Sequence, residues 1–133
     1  MHSNISMENM TNVMIVDDEE DAGSLFRQQF RKEVRKGEMH LHIALSGFEA
    51  LEILEKINRD RPLIILSDIN MPGMSGIELL KIIKERWPDL RVVMVSAYAG
   101  NDTYKMEAEL YGADDFLSKP IDFDVIKSKI FVN

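Results

Sequence analysis

The feature that most constrains the fold is an alternation of short apolar segments with longer amphipathic ones, repeated five times along 133 residues. Each short run has the length and flanking turn signals of a strand, and each long one has apolar residues at helical spacing. The predicted strands are residues 12–16, 39–45, 63–66, 90–95 and 115–118. Such alternation predicts a single α/β domain, a five-stranded parallel sheet with five helices on its two faces.

Polar residues mark where the helices begin. Ser46 and Ser75 each precede a helical pattern, and Glu49 and Glu78 follow them by three positions, as in a capping box. Asp122 is the predicted N-cap of the last helix. Residues 1–11 are polar and lack an apolar core, so we expect a disordered leader, with the domain at residues 12–133. Because the sequence ends with the fifth helix, no output domain is expected within it.

Composition excludes several classes of protein. The absence of cysteine excludes disulfides and thiolate metal sites, and no apolar stretch reaches the roughly 20 residues of a membrane helix. We therefore expect a cytoplasmic protein without membrane contact. The net charge of −7 argues against direct nucleic-acid binding. One basic cluster, with Glu33 among it, is interpreted as a solvated helix face: Arg27, Arg31, Lys32, Arg35 and Lys36.

The ends of four predicted strands are polar. Asp17 and Asp18 follow the first strand, Asp68 the third, Ser96 the fourth and Lys119 the fifth. The carboxyl ends of parallel strands share one edge of a sheet, where functional groups gather. Three carboxylates brought together there repel one another. Either one of them retains a proton, with a raised pKa, or a cation neutralises them.

These residue types suit phosphoryl transfer. Aspartate can form a covalent acyl phosphate, a hard cation such as Mg²⁺ prefers oxygen ligands, and an ammonium and a hydroxyl can stabilise the charge on a transferring phosphoryl group. Asp68 is the candidate nucleophile. Each polar residue alone has a plainer interpretation as a cap or turn, and we prefer a favourable acidic helix start for Glu19, Glu20 and Asp21. The coincidence of five at strand ends favours the functional interpretation.

Six short motifs together resemble the receiver domains of two-component response regulators, the CheY-like superfamily, over about residues 12–131. They are Asp17-Asp18, Gly-Phe-Glu-Ala-Leu at 47–51, Ser-Asp-Ile-Asn-Met-Pro-Gly-Met-Ser-Gly at 67–76, Ser96-Ala97, Gly-Ala-Asp-Asp-Phe at 112–116, and Lys119-Pro120. The resemblance implies a flavodoxin-like three-layer α/β/α sandwich with strand order 2-1-3-4-5.

The resemblance also implies roles for the residues at the strand ends. Asp68 would accept a phosphoryl group from a phosphohistidine on a sensor histidine kinase or phosphotransfer protein. Asp18, Asp68 and the backbone carbonyl of Asn70 would bind Mg²⁺ or Mn²⁺, with Asp17 helping through water. Lys119 would pair with the phosphoryl group. The protein would be a signalling switch that catalyses only its own phosphorylation and dephosphorylation, not a stand-alone enzyme.

The implied switch connects the phosphoryl group to a distant surface. Ser96 would move to hydrogen-bond the phosphoryl group, and Phe116 would turn inward as it does. Here Ser96 replaces the more frequent threonine, and Phe116 lacks the hydroxyl of the frequent tyrosine. The fourth helix, fifth strand and fifth helix would then control an effector or output domain. Some receivers are monomers and others pair through the fourth-helix face when phosphorylated, so a homodimer stays open.

Three other classes of protein compete with this interpretation. An aspartyl phosphatase or phosphotransferase needs a second acid two residues after the nucleophile, and Asn70 cannot act as one. A flavodoxin-like flavin binder needs backbone donors after the first strand, where this chain has five acids. A degenerate receiver would lack some of the residues at the strand ends, all of which are present.

Asn70 and Tyr98 lie at the two positions that tune the lifetime of the phosphate in the resembling family. We predict that Tyr98 partly shields the acyl phosphate from water. The phosphorylated Tyr98→Ala variant should therefore lose its phosphoryl group faster than the native protein. The rate is followed by intact mass after the phosphodonor is removed. An unchanged rate in Tyr98→Ala would contradict the prediction.

Overall fold

A computed structural model describes residues 10–57, 63–97 and 102–131, and for residue 102 the backbone alone. Its five strands form one parallel sheet in the order β2-β1-β3-β4-β5. The strands are β1 (Thr11–Val16), β2 (Met39–Ala44), β3 (Leu63–Asp68), β4 (Arg91–Ser96) and β5 (Asp115–Ser118). The predicted flavodoxin-like fold and strand order are confirmed.

The described residues contain six helices, one more than predicted. They are α1 (Glu20–Gln29), α2 (Arg31–Arg35), α3 (Gly47–Lys56), α4 (Gly76–Arg86), α5 (Asp102–Leu110) and α6 (Phe123–Ile130). The extra one arises because the first predicted helix is divided at Phe30, whose φ of −107° and ψ of 14° are not helical. The Phe30 ring is fully buried, 6.0 Å from the Phe123 ring. No described helix has the length and apolar character needed to cross a bilayer.

The sheet separates two apolar layers. Along β1, Val13 and Ile15 pack with buried residues of α1 and α6. Met14 and Val16 point to the other face, where they pack with α3, α4 and α5. All four are at most 3% exposed. A strand buried on both faces needs a continuous apolar run, which is why β1 shows no alternation of polar residues.

The helical stripes predicted from apolar spacing are wider than the surface they bury. The apolar residues at helical spacing in the sequence include five that are between 38% and 61% exposed: Leu25, Val34, Phe48, Val125 and Phe131. By contrast, neighbours such as Phe26 and Leu54 are buried. Helical spacing therefore predicted which side of each helix faces the sheet. It did not predict how wide the buried part of that side is, because the sheet covers only part of each apolar stripe.

The register of the sheet brings the polar strand ends to one level. Val16 lies beside Ser67 across the β1–β3 pair, and Asp68 lies beside Val95 across the β3–β4 pair. Ser96 lies beside Ser118. The residues that follow β1 and β5 consequently emerge on the same edge as the ends of β3 and β4.

Both predicted serine caps are present. The Ser46 hydroxyl accepts a hydrogen bond from the backbone N–H of Glu49, and Ser75 forms a complete capping box with Glu78. A glycine follows each serine as the first helical residue. A Cβ at Gly76 would lie 2.0 Å from the backbone oxygen of Asp68, whereas one at Gly47 would meet mainly the flexible Met74 side chain, 2.5 Å from its Sδ.

Gly76→Ala should lower the free energy of unfolding by about 1–3 kcal/mol, the usual cost of overpacking, because rigid backbone of the Asp68 loop must move. Gly47→Ala is the matched control. It has the same position after a serine cap, but the thioether of Met74 can move, so a smaller loss is expected. Urea denaturation measures both. Equal losses in the two variants would show that the close approach at Gly76 is not limiting.

Candidate functional site

The acid pair after β1 divides into a buried and an exposed carboxylate. Asp17 is 6% exposed, accepts the backbone N–H of Glu19 at 3.0 Å and pairs with Lys119 Nζ at 3.1 Å. Asp18 is exposed and forms no hydrogen bond or ion pair with any residue that the structure describes. Two adjacent acids thus differ in environment because the chain leaves the sheet between them.

Asp68 ends β3 and lies within reach of the same lysine. Lys119 Nζ donates to Asp68 Oδ2 at 3.2 Å, and the backbone N–H of Asn70 donates to the same carboxylate. The Asp68 side chain is 11% exposed. The backbone N–H of Lys119 donates to the Ser96 carbonyl at 2.8 Å, which fixes the lysine beside the ends of β4 and β5. Lys119 therefore bridges Asp17 and Asp68.

The three predicted acids converge. One carboxylate oxygen from each of Asp17, Asp18 and Asp68 lies within 4.8 Å of the others. The Lys119 ammonium contacts two of the three, so the cluster keeps an excess of negative charge beside exposed Asp18. An all-oxygen donor set with excess negative charge fits a hard divalent cation such as Mg²⁺ or Mn²⁺ better than a softer metal.

Burial and neighbouring charges shift the pKa values of Asp68 and Lys119. Burial raises the pKa of Asp68 above its ordinary 3.8, the charge of Asp17 adds to the increase, and Lys119 opposes it. Burial acts to lower the pKa of Lys119, but the Asp17 hydrogen bond and the charges of Asp68 and Asp17 outweigh it and raise that pKa. The lysine is therefore charged at neutral pH, and Asp68 is the carboxylate that burial destabilises.

The predicted switch residues lie on the two strands beyond Asp68. Ser96, at the end of β4, is fully buried. Phe116, on β5, is half-buried and packs against the apolar layer of α3, α4 and α5. It lies beside Met94, two residues before Ser96 along β4. Ser96 and Phe116 are thus on two neighbouring strands, β4 and the edge strand β5.

A contact between the Asp68 loop and α5 was not predicted. The side chain of Asn70 is exposed, and its Oδ1 accepts a hydrogen bond from the Tyr104 hydroxyl at 3.3 Å. Nothing in the local sequence indicated Tyr104, since its helix is weakly amphipathic and only the tertiary fold places it beside Asn70. Tyr98, the other predicted tuning residue, lies outside the described residues.

A cavity of about 520 Å³ opens beside the acids and was also not predicted. Asp17, Asp68 and Lys119 line one side of it, and apolar residues including Leu25 and Phe26 line another. Glu19 and Asp21 also line the cavity and belong to the acidic start of α1, in agreement with their interpretation as helix-start residues. The cavity leaves Asp68 accessible from the α1 side.

An open parallel sheet with an acid cluster and a lysine at its carboxyl edge defines a class of α/β proteins that use this edge for their chemistry. Within that class, the family model of the response regulator receiver domain matches residues 13–131. The chain belongs to this family. The resemblance found in its motifs is confirmed, and the family consists of signalling switches of two-component systems.

Individual relatives agree with this assignment. The chain is 35% identical over 118 residues to sporulation initiation phosphotransferase F of Bacillus subtilis, covering 89% of each. It is 36% identical over 114 residues to the DNA-binding transcriptional regulator NtrC of Proteus hauseri, covering 85% of this chain and 22% of that protein. The chain therefore spans about a fifth of the length of that regulator.

Solved structures show the same architecture. The response regulator protein TrrA of Thermotoga maritima, in complex with Mg²⁺ and BeF, superposes with a TM-score of 0.74 at 27% identity, covering 91% of this chain and 96% of that one. The chemotaxis protein CheY4 of Vibrio cholerae gives 0.76 at 24% identity, covering 90% and 95%, and supports the fold.

Asp68→Asn should raise the free energy of unfolding at pH 7. The folded-state pKa of Asp68 is raised, so the folded protein holds this proton more tightly than the unfolded chain does. Protonated Asp68 therefore makes its full contribution to the free energy of unfolding below pH 3.8, its ordinary pKa. That contribution is lost as pH rises through the folded-state pKa. With a chelator present, the urea midpoint of Asp68→Asn should be higher than that of the native protein at pH 7. The two midpoints should coincide in acid.

Asp115→Asn is the matched control with the opposite sign. Burial acts to raise the pKa of Asp115, but hydrogen bonds from Lys129 and the Phe116 backbone outweigh it and lower that pKa. Its charge therefore stabilises the protein above the unfolded value, and that contribution is lost as pH falls through the folded-state pKa. The variant should lose less than about 1 kcal/mol at pH 7. If Asp68→Asn were instead less stable than the native protein at pH 7, burial would not be the dominant influence on the pKa of Asp68.

Proposed function

We propose that this chain is a phosphorylation-activated switch of a two-component system, with Asp68 as the phosphoryl acceptor. The supporting observation is the convergence of Asp17, Asp18 and Asp68 with Lys119 bridging two of them. Asp17 and Asp68 both border the cavity and contact the lysine, and of the two it is Asp68 that lies in the receiver-like motif at residues 67–76. Its carboxylate is thus both accessible and placed beside the charge that a phosphoryl group needs.

The proposed reaction transfers one phosphoryl group. A carboxylate oxygen of Asp68 attacks phosphorus, the P–N bond of a phosphohistidine breaks, and the bonding electrons leave with the imidazole nitrogen, which takes up a proton. Lys119 exchanges part of its contact with Asp17 and Asp68 for the new phosphoryl oxygens. Hydrolysis by water later restores the Asp68 carboxylate and releases inorganic phosphate.

The acid cluster is proposed to hold a divalent cation. Asp18, Asp68 and the Asn70 carbonyl would bind Mg²⁺ or Mn²⁺, with Asp17 helping through water. The cation, when bound, neutralises charge on the phosphoryl oxygens. The relative TrrA, whose structure contains Mg²⁺ with BeF, supports this assignment. Exposed Asp18 is the ligand most available to solvent, so it would also set the entry path of the ion.

The proposed output surface consists of α5, β5 and α6, the fourth helix, fifth strand and fifth helix of the prediction. Ser96 would move towards the phosphoryl group, and Phe116 would turn inward. Met106 and Leu110 of α5 are 68% and 75% exposed, so this surface offers apolar contacts to an effector, an output domain or a second phosphorylated copy. A sensor histidine kinase or phosphotransfer protein would supply the phosphoryl group, and Asn70 and Tyr98 would tune its lifetime.

Acetyl phosphate with Mg²⁺ should add one phosphoryl group to the native protein, seen by intact mass. Asp68→Asn should show no gain, and a chelator should abolish it. Lys119→Gln should slow the reaction by about 10²–10³-fold, the usual cost of one charged stabilising group.

Lys129→Gln is the matched control for that variant, since Lys129 is ion-paired with Asp115 outside the acid cluster and should leave the rate unchanged. An equal mass gain in native protein and Asp68→Asn would overturn the assignment of the acceptor. Repeated turnover of a phosphate ester would favour the aspartyl phosphatase instead.

A further inference from the structure

Three arginines form a row on the opposite end of α1 from the acid cluster. Arg27, Arg31 and Arg35 recur every four residues, which places them on one side of a helix. The row continues across the break between α1 and α2, because Phe30 donates to the Phe26 carbonyl and its own carbonyl accepts from Val34. At about 1.5 Å per residue the row is about 12 Å long.

The arginine row borders a surface cavity of about 360 Å³ between the helices and the edge of the sheet. Its lining combines cations with apolar side chains: Arg27, Arg31, Val34, Arg35, His40 and Leu41. His40 and Leu41 belong to β2, the outermost strand of the sheet. Val34 is 41% exposed there. The cavity is thus lined by both arginine and apolar side chains.

The charge of the row is not neutralised within the part of the chain that the structure describes. None of the three guanidinium groups forms an ion pair or hydrogen bond with a described residue. Glu33, the acid within α2, instead pairs with Lys127 of α6 at 3.2 Å. Its other carboxylate oxygen is buried without a hydrogen-bond partner among the described residues. The acid that lies among these basic residues in the sequence is therefore mostly buried and paired with α6, its side chain being 16% exposed.

We propose that the cavity bordered by Arg27, Arg31 and Arg35 binds a short acidic peptide segment of a partner protein. Guanidinium groups pair bidentately with carboxylates. Alternate residues of an extended peptide are about 6.6–6.8 Å apart on one side, close to the roughly 6 Å axial spacing of the arginines. Apolar residues between the acids would contact Val34 and Leu41. This site is independent of the proposed phosphoryl transfer.

The surroundings of the row favour a short segment over a long polyanion. The same helix begins with Glu20 and Asp21, and the whole chain has a net charge of −7. A nucleic-acid strand that extended beyond the row along α1 would meet these acids. The exposed Val34 and the half-buried Leu41 offer no favourable contact to a phosphate backbone, whereas an acidic peptide with interspersed apolar residues would contact both these side chains and the arginines.

Fluorescence anisotropy with a labelled peptide of alternating glutamate and leucine tests this proposal. About eight residues are enough to cover the row at roughly 3.3 Å per residue. The Arg27→Gln/Arg31→Gln/Arg35→Gln variant should weaken binding by about tenfold or more, because several charge-assisted contacts are lost. The matched control is Lys32→Gln/Lys36→Gln, which removes basic residues of the same segment that do not line the cavity and should change binding less than about twofold.

Circular dichroism and urea midpoints confirm that the variants are folded, and the single variant Arg31→Gln replaces the triple one if it is not. Amide chemical shifts of the native protein should move around residues 27–41 when the peptide is added. Equal loss of binding in the arginine and lysine variants would overturn the site, since it would indicate general charge attraction. Tighter arginine-dependent binding of a short oligothymidine, or of vesicles containing anionic lipid, would overturn the assignment of a peptide.

Discussion

The Lys119 ammonium between Asp17 and Asp68 is the interaction on which the site depends. It connects the ends of β1, β3 and β5, whose residues are 102 and 51 positions apart along the chain. Two buried carboxylates without this cation would repel each other and favour protonation. With it, Asp68 is held near the cavity while Asp18 contributes a third carboxylate from the solvent side. The lysine therefore makes a carboxylate cluster possible, but it does not neutralise the whole of it.

A second constraint is the backbone beneath Asp68. The N–H of Gly76 donates to the Ile69 carbonyl at 2.8 Å, which seats the start of α4 directly against the loop after β3. A Cβ there would lie 2.0 Å from the Asp68 oxygen, so any residue other than glycine would displace the backbone. The position of Asp68, the proposed acceptor, is consequently set by main-chain packing as well as by Lys119, so the geometry of the loop and of α4 cannot vary independently.

Sequence patterns predicted the parts of the fold that depend on local chemistry. The strand runs, the caps at Ser46 and Ser75 and the polar strand ends could all be read directly, because burial on two faces and helix capping leave local signatures. The strand order came from the family resemblance. The Tyr104–Asn70 contact and the exposure of Phe48 could not be predicted, since they depend on how separate elements pack. Glu33 is the clearest case: among arginines in sequence, it pairs with Lys127 in space.

The two helices of the proposed output surface are attached to the sheet in different ways. The last helix, α6, buries Ile126 and Ile130 in the apolar layer and forms ion pairs to Asp115 and Glu33. Among its described side chains, α5 buries only Ala108. Burial of an aliphatic side chain contributes about 1.5–3 kcal/mol, several times the value of an exposed ion pair. Since α5 has far less buried apolar surface, its position is the easier of the two to change.

The Asp68 loop reaches α5 through a direct contact, the hydrogen bond from Tyr104 to the Asn70 side chain. A change at the proposed phosphoryl acceptor that moves Asn70 would therefore break this bond, rotate one of its two side chains, or move α5. The apolar layer under α6 offers no comparable freedom, because displacing Ile126 or Ile130 would open a cavity costing about 2–5 kcal/mol. Physical coupling between the site and the proposed output surface is thus expected to run through α5, while α6 stays in place on the opposite face of the sheet.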